Sequence, residues 1–162
     1  MFEQALDIYR FNFGYAHKLM AELPDEQLCA QPVVGHTMNH AAFTIGHLAW
    51  ASDAAQRYGG REPQLPTTWA EQFARGSQLR NDRATYPSKA ELLKAYAAAH
   101  AGLEATVAVA PARVLAMRAP EALRAIYPTV GHLLLGLMTV HEGIHLGQLS
   151  AWRRAMGFAS VI

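Results

Sequence analysis

LLLGLMTVHEGIH, residues 133–145, sets His141 and His145 four positions apart in a largely apolar run. On an α-helix, residues at that spacing are turned by only about 40° and lie one turn apart, so both imidazoles can reach a single ion. Leu133, Leu134, Leu135, Leu137, Met138 and Val140 mark the helix as one that buries a face. Histidine in such surroundings costs free energy unless something satisfies it. Pro128-Thr129 gives the helix its start and Gly157 its stop, which predicts a helix over 129–156.

Working outward, apolar residues at helical spacing (Phe2, Ala5, Leu6, Tyr9, Phe13, Ala16, Leu19, Met20) predict a helix over 2–22, ended by Pro24. Residues 24–28 read as one short turn. A second helix is expected from about Thr37 to Tyr58, stopped by Gly59-Gly60, and residues 59–68 form a loop rich in glycine and proline. Trp69 to Ala74 suits a short helix. Ser88-Lys89-Ala90-Glu91 is a capping-box signature opening a helix to about Val109. Pro111 and Pro120 bracket a segment of no clear pattern, and no sustained two-residue alternation predicts strands. The expected fold is all-α: a four-helix bundle with short extra helical turns, formed by residues 1–162 as one domain.

A net charge of +1 gives no basic stripe for nucleic acid. Arg153-Arg154 is an ordinary pair of charges at a helix end. One cysteine, Cys29, allows neither an internal disulfide nor a cysteine-based zinc site, and it reads as a small buried apolar residue. The N-terminus lacks a basic stretch followed by a long apolar run, and no apolar stretch reaches the ~18 residues that span a bilayer. A cytoplasmic protein without membrane or nucleic-acid partners is expected.

Eight histidines is a high number for 162 residues. His141-Glu142-Gly143-Ile144-His145 matches the H-E-x-x-H letters of zinc proteases, with Glu142 as the base. Those enzymes take a third ligand from downstream, and residues 146–162 contain no histidine and no carboxylate. A third ligand therefore comes from upstream. His40 and His47 share a face of the second helix but lie ~10 Å apart along its axis, so one of them, not both, completes the site. His47, in mid-helix between Ile45 and Trp50, is better placed; His40 is the alternative. His36 falls at or before the helix start. His132 is nine residues before His141 and faces the other way, and His17 and His100 are isolated.

Thr44-Ile45-Gly46-His47-Leu48-Ala49-Trp50, followed by His141-Glu142-Gly143-Ile144-His145-Leu146-Gly147-Gln148-Leu149, resembles the DinB/YfiT-like metal-dependent superfamily. The resemblance implies an antiparallel four-helix bundle with a three-histidine metal site, carried over to His47, His141 and His145. It also implies zinc or nickel, homodimers and, in some relatives, thiol-dependent transferase or isomerase chemistry with a low-molecular-weight thiol cosubstrate.

Three neutral imidazoles leave coordination positions open for water or a substrate thiol. Gln148 lies on the same stripe as His141 and His145 and is a candidate to hydrogen-bond a bound water or substrate. Glu142, rotated ~100° from His141, is a candidate partner for an imidazole N–H or for a salt bridge. Tyr9, Phe13 and Tyr15 could line a pocket but suit plain core, as do Trp50, Trp69 and Trp152. Gly143 and Gly147 interrupt a helix and suit close approach at a dimer contact. Two functions fit: a metal-dependent transferase or hydrolase acting on a small molecule, with a thiol cosubstrate in one form, or a non-catalytic, stress-associated protein with a structural metal.

Overall fold

The computed structural model describes residues 2–161 and is all-α, with no strand among the described residues. Helix α1 spans Glu3–Ala21 and is followed by a 3₁₀ turn, Asp25–Gln27. Helix α2 spans Ala41–Ala55 and runs on into a 3₁₀ turn that ends at Gly60, whose φ of 89° suits glycine. Helix α3 is Thr68–Phe73. Helix α4, Lys89–Val109, opens on the expected capping box between Ser88 and Glu91. Helix α5 is the short Ala112–Leu115, in the segment where the sequence showed no pattern. The last helical rod consists of α6 (Val130–Gly136), one π-helical turn (Leu137–His141) and α7 (Glu142–Ala155).

Helix α2 begins four residues later than the sequence suggests. His40 is its N-cap: the backbone there is extended, and ring Nδ1 accepts the Phe43 N–H at 3.2 Å. Just upstream, the Gln31 side chain binds both Met38 N–H and Met38 O. These side-chain bonds offer the backbone a partner outside the helix, and helix propensity does not overcome them.

Helix α2 is the centre of the packing. Most of its residues are buried, as expected of a helix that is apolar all round. It packs most extensively on α4 and also on α3 and α7. One core joins Leu19, Leu48, Leu92, Leu146, Leu149 and Trp152; a second joins Tyr9, Leu103, Val130, Leu134 and Met138. The α2–α3 loop is fixed from inside. The buried Asp53 carboxylate accepts the backbone N–H groups of Gln64 and Leu65 at 2.9–3.0 Å. This brings α3 back over α2, where Phe73 lies flat against Gly46. A Cβ at position 46 would sit 2.1 Å from that ring, so only glycine fits.

The pair Arg153-Arg154 is divided. Arg153 is 1% exposed, and its guanidinium donates to Leu19 O at the end of α1 and to Ala159 O, whereas Arg154 faces solvent. The expectation of two ordinary surface charges holds only for Arg154. Among the described residues no helix is long and apolar enough to cross a membrane.

Candidate metal centre

His47 comes from the middle of α2, His141 from the end of the π turn and His145 from the first turn of α7. The fold brings the three rings together. One ligand-type nitrogen from each lies within 4.8 Å of the other two, and ring centroids are 4.6–5.1 Å apart. His47 Nε2 and His141 Nε2 face each other at 3.1 Å. That is close to the roughly 3.3 Å set by two Zn–N bonds of 2.0–2.1 Å at a tetrahedral angle.

The outer ring nitrogens determine which way each histidine presents its lone pair. His47 Nδ1 is 2.6 Å from Phe73 O, which can only accept, so the proton is on Nδ1 and Nε2 carries a free lone pair. His145 Nδ1 lies 3.1 Å from Gln148 Oε1, and Asn39 Nδ2 donates to the same oxygen at 3.2 Å. His145 Nε2 is therefore also left as an acceptor. The contact between His47 and His141 puts two nitrogens together that need a proton or a cation between them. Burial keeps the rings neutral. It pushes His141 down to about 3, with His145 and His47 adding repulsion, and His145 down to about 4. His47 is also lowered by burial, and Phe73 O partly opposes the shift. A neutral, lone-pair-converging set of three imidazoles fits a borderline divalent cation.

His40 does not belong to the cluster. Its Nε2 donates to Arg80 O at 2.8 Å while Nδ1 caps α2, so both nitrogens are used. His36 lies outside the helix, and His132 Nδ1 pairs with Thr129 Oγ1. His100 is a satisfied core residue, stacked on Tyr9 and bonded to Tyr9 O at 3.0 Å.

Gln148 stands beside a candidate ligand, as expected, and Glu142 does not. Glu142 does not reach an imidazole of the cluster. It is 1% exposed in the other side of the bundle, where Tyr96 Oη donates to Oε1 at 2.6 Å, and burial pushes its carboxyl up to about 8. Its nearest charged-type neighbour is His100, at 4.0 Å. A protease-type base at this position is thereby removed from the site. Gln148 Oε1 orients the His145 ring.

The family model of the DinB superfamily matches residues 9–149, a span that contains all three histidines. The chain belongs to the DinB superfamily. No curated protein and no solved structure gives a match. In this DinB-superfamily chain the three histidines line one wall of a cavity of about 700 Å³, with Phe43, Trp50, Tyr58, Tyr127 and Leu137 among its other walls. Tyr127 reaches the cavity because Gly136 has no side chain: a Cβ there would be 2.2 Å from the tyrosine ring. Tyr9, Phe13 and Tyr15 do not line it; Tyr9 is core and donates to Ser52 Oγ. Trp152 is core as expected, and Trp50 belongs to the cavity. Cys29 is buried, and burial pushes its thiol up to about 11, so it stays an inert apolar residue.

No residue pattern signals the role of Phe73, which acts through its backbone oxygen. The nearest hint is Gly46 beside His47, a glycine in a helix interior that must have a packing reason.

Proposed function

We propose that this DinB-superfamily chain holds one divalent ion, zinc or nickel, on His47, His141 and His145. We propose further that it acts on a small molecule as a metal-dependent transferase or hydrolase, with a low-molecular-weight thiol as cosubstrate in the transferase form. One observation carries the reading: the three converging nitrogens lie on the wall of a cavity large enough for a small organic molecule. No fourth histidine, cysteine or carboxylate joins them among the described residues. A sealed structural site needs a fourth protein ligand, so the non-catalytic alternative has less support. When bound, such an ion supplies Lewis acidity, lowering the pKa of a coordinated water or thiol. The chain's own part is to fix the rings through Phe73 O and Gln148 Oε1 and to shield the site with Trp50, Phe43 and Tyr127.

A homodimer is part of the proposal. Ile8 and Phe11 on α1 and Val140 and Ile144 on the adjoining rod are 49–64% exposed. Beside them, Gly143 and Gly147 have open space above their Cα atoms. This exposed apolar strip supports self-association.

The test is elemental analysis of purified protein, followed by cobalt substitution and addition of thiols. One ion per chain, and a cobalt spectrum that changes with thiol, are expected. Cobalt held by four protein ligands and blind to every thiol and anion would return the protein to a structural role.

A further inference from the structure

The cavity that contains the three histidines has one charged side chain of another kind in its wall, Arg75, and no aspartate or glutamate. Arg75 is exposed on the cavity side and pairs with no carboxylate among the described residues. Two residues on, Ser77 also lines the cavity. Its Oγ is shielded from solvent yet has no hydrogen-bond partner among the described residues. Native side-chain hydroxyls out of contact with solvent are seldom left unpaired, and a group bound in the cavity could supply the bond that Ser77 lacks. Gly76, between the two, has a φ of +88°, and the Ser77 N–H closes the turn on Ala74 O at 3.0 Å. The turn thus puts an unpaired cation and an unpaired hydroxyl on one wall.

This wall is close to the histidines by chain connectivity. Phe73 O accepts the His47 Nδ1–H, and Arg75 follows Phe73 by two residues, at most about 7 Å of extended backbone. The remainder of the wall is aromatic or aliphatic, with Trp50, Tyr58, Tyr127, Leu137 and Ile126 as its larger members.

We propose that Arg75 and Ser77 form a carboxylate-anchoring subsite, and that the substrate is a small amphiphile with an aromatic or aliphatic body and one carboxylate. The inference rests on the proposed small-molecule function of the same cavity. The arginine fork matches the two oxygens of a planar carboxylate, and the serine hydroxyl donates a further bond to one of them. An acidic substrate meets no like charge, because no carboxylate lines the wall. A cationic substrate would face Arg75 with nothing to offset it.

Phenylacetate, its uncharged amide and phenylphosphonate serve as probes, titrated calorimetrically into the full chain both zinc-loaded and chelator-treated. Phenylacetate is expected to bind more tightly than the other two in both forms. Arg75→Gln should weaken phenylacetate at least about tenfold, the worth of a charged hydrogen bond, and leave the amide unchanged. Arg75→Lys should restore part of the loss and Ser77→Ala should give a smaller one. Because Arg75 is exposed and unpaired, these variants should keep wild-type circular dichroism and zinc content. Equal binding of acid and amide, indifference to Arg75→Gln, or a preference for the phosphonate overturns the carboxylate subsite. Arg75-dependent selection that persists in the metal-free protein supports it even if the metal reading fails. Stoichiometric zinc without such selection overturns it and leaves the metal reading intact.

Discussion

The main-chain oxygen of Phe73 accepts the Nδ1–H of His47 at 2.6 Å, and the ring of the same Phe73 lies on Gly46, the residue before that histidine. One residue of α3 therefore fixes the tautomer of His47 with its backbone and occupies the space left by Gly46 with its side chain. Helix α3 has only six residues and supplies no ligand, yet the orientation of a proposed ligand depends on it.

Gly46→Ala should separate this coupling from general stability. The new methyl must displace a fully buried phenylalanine, an overpacking cost of about 1–3 kcal/mol. The shift moves Phe73 O, and zinc affinity should fall by roughly 10–100-fold, as when the partner of a ligand imidazole is lost. Gly14→Ala, inside α1 where a Cβ meets open space, is the control and should stabilise by up to about 1 kcal/mol. Competition with a chromophoric chelator measures both. Wild-type zinc affinity in Gly46→Ala would break the proposed link.

Single alanine substitutions at His47, His141 and His145 should each abolish stoichiometric metal. His40→Ala should keep the metal and lose about 1–2 kcal/mol, because it strips α2 of its cap and removes the part-buried bond to Arg80 O. His132→Ala should change neither. Metal analysis and urea melts of the variants decide it, and metal loss in His40→Ala with retention in His47→Ala would reverse the assignment.

The metal-free protein should be most stable near about pH 6.5, with losses on both sides. Burial holds His141 at about 3 and His145 and His100 at about 4. The unfolded chain takes up these protons near pH 6.5 and the folded chain does not. Stability is full above that value and is lost as pH falls toward 4, by up to about 1.4 kcal/mol per pH unit for each histidine. Glu142 acts in the opposite sense. Its folded value is pushed up to about 8 from 4.5, so its contribution is complete below 4.5 and is lost as pH rises toward 8. The histidines dominate the acid side, and Glu142 acts without them above 6.5. Glu142→Gln, which can still accept from Tyr96, should keep the acid limb and flatten the limb between 6.5 and 8. Thermal melts across pH in chelator would show it; an unchanged alkaline limb would remove Glu142 as its cause.

Ile144→Glu should turn a dimer into a monomer without loss of helicity, since the side chain is 56% exposed and belongs to the apolar set proposed for self-association. Light scattering after size exclusion is the measurement. A wild-type chain that is already monomeric at high concentration would end the dimer proposal.

The helical pattern was legible because apolar spacing, the Ser88 cap and the proline and glycine stops are local signals. The H-x-x-x-H pair was legible for the same reason. What escaped was non-local. His40 and His47 differ by the partners of their outer nitrogens, Arg80 O for one and Phe73 O for the other, and neither oxygen has a side-chain signature. Glu142 looked like a site residue by its letters, and its actual partner, Tyr96, is 46 positions away. The burial of Arg153 depends on the Leu19 carbonyl near the end of α1, 134 residues upstream.

The π turn at Leu137–His141 has a consequence for how this chain tolerates changes in length. Thr139 Oγ1 donates to Leu135 O inside the widened coil and helps to hold it open. A π turn accommodates one residue beyond the α-helical count. Deleting a residue between 137 and 140 would let the rod close into uninterrupted α-helix, with the side chains upstream kept close to their present phase relative to His141 and His145. Leu133 and Leu134, both buried, would keep their places in the core. A one-codon deletion elsewhere on this rod acts like a slipped gear tooth, turning one side by about 100° against the other, whereas the same deletion inside the π turn is taken up by the coil.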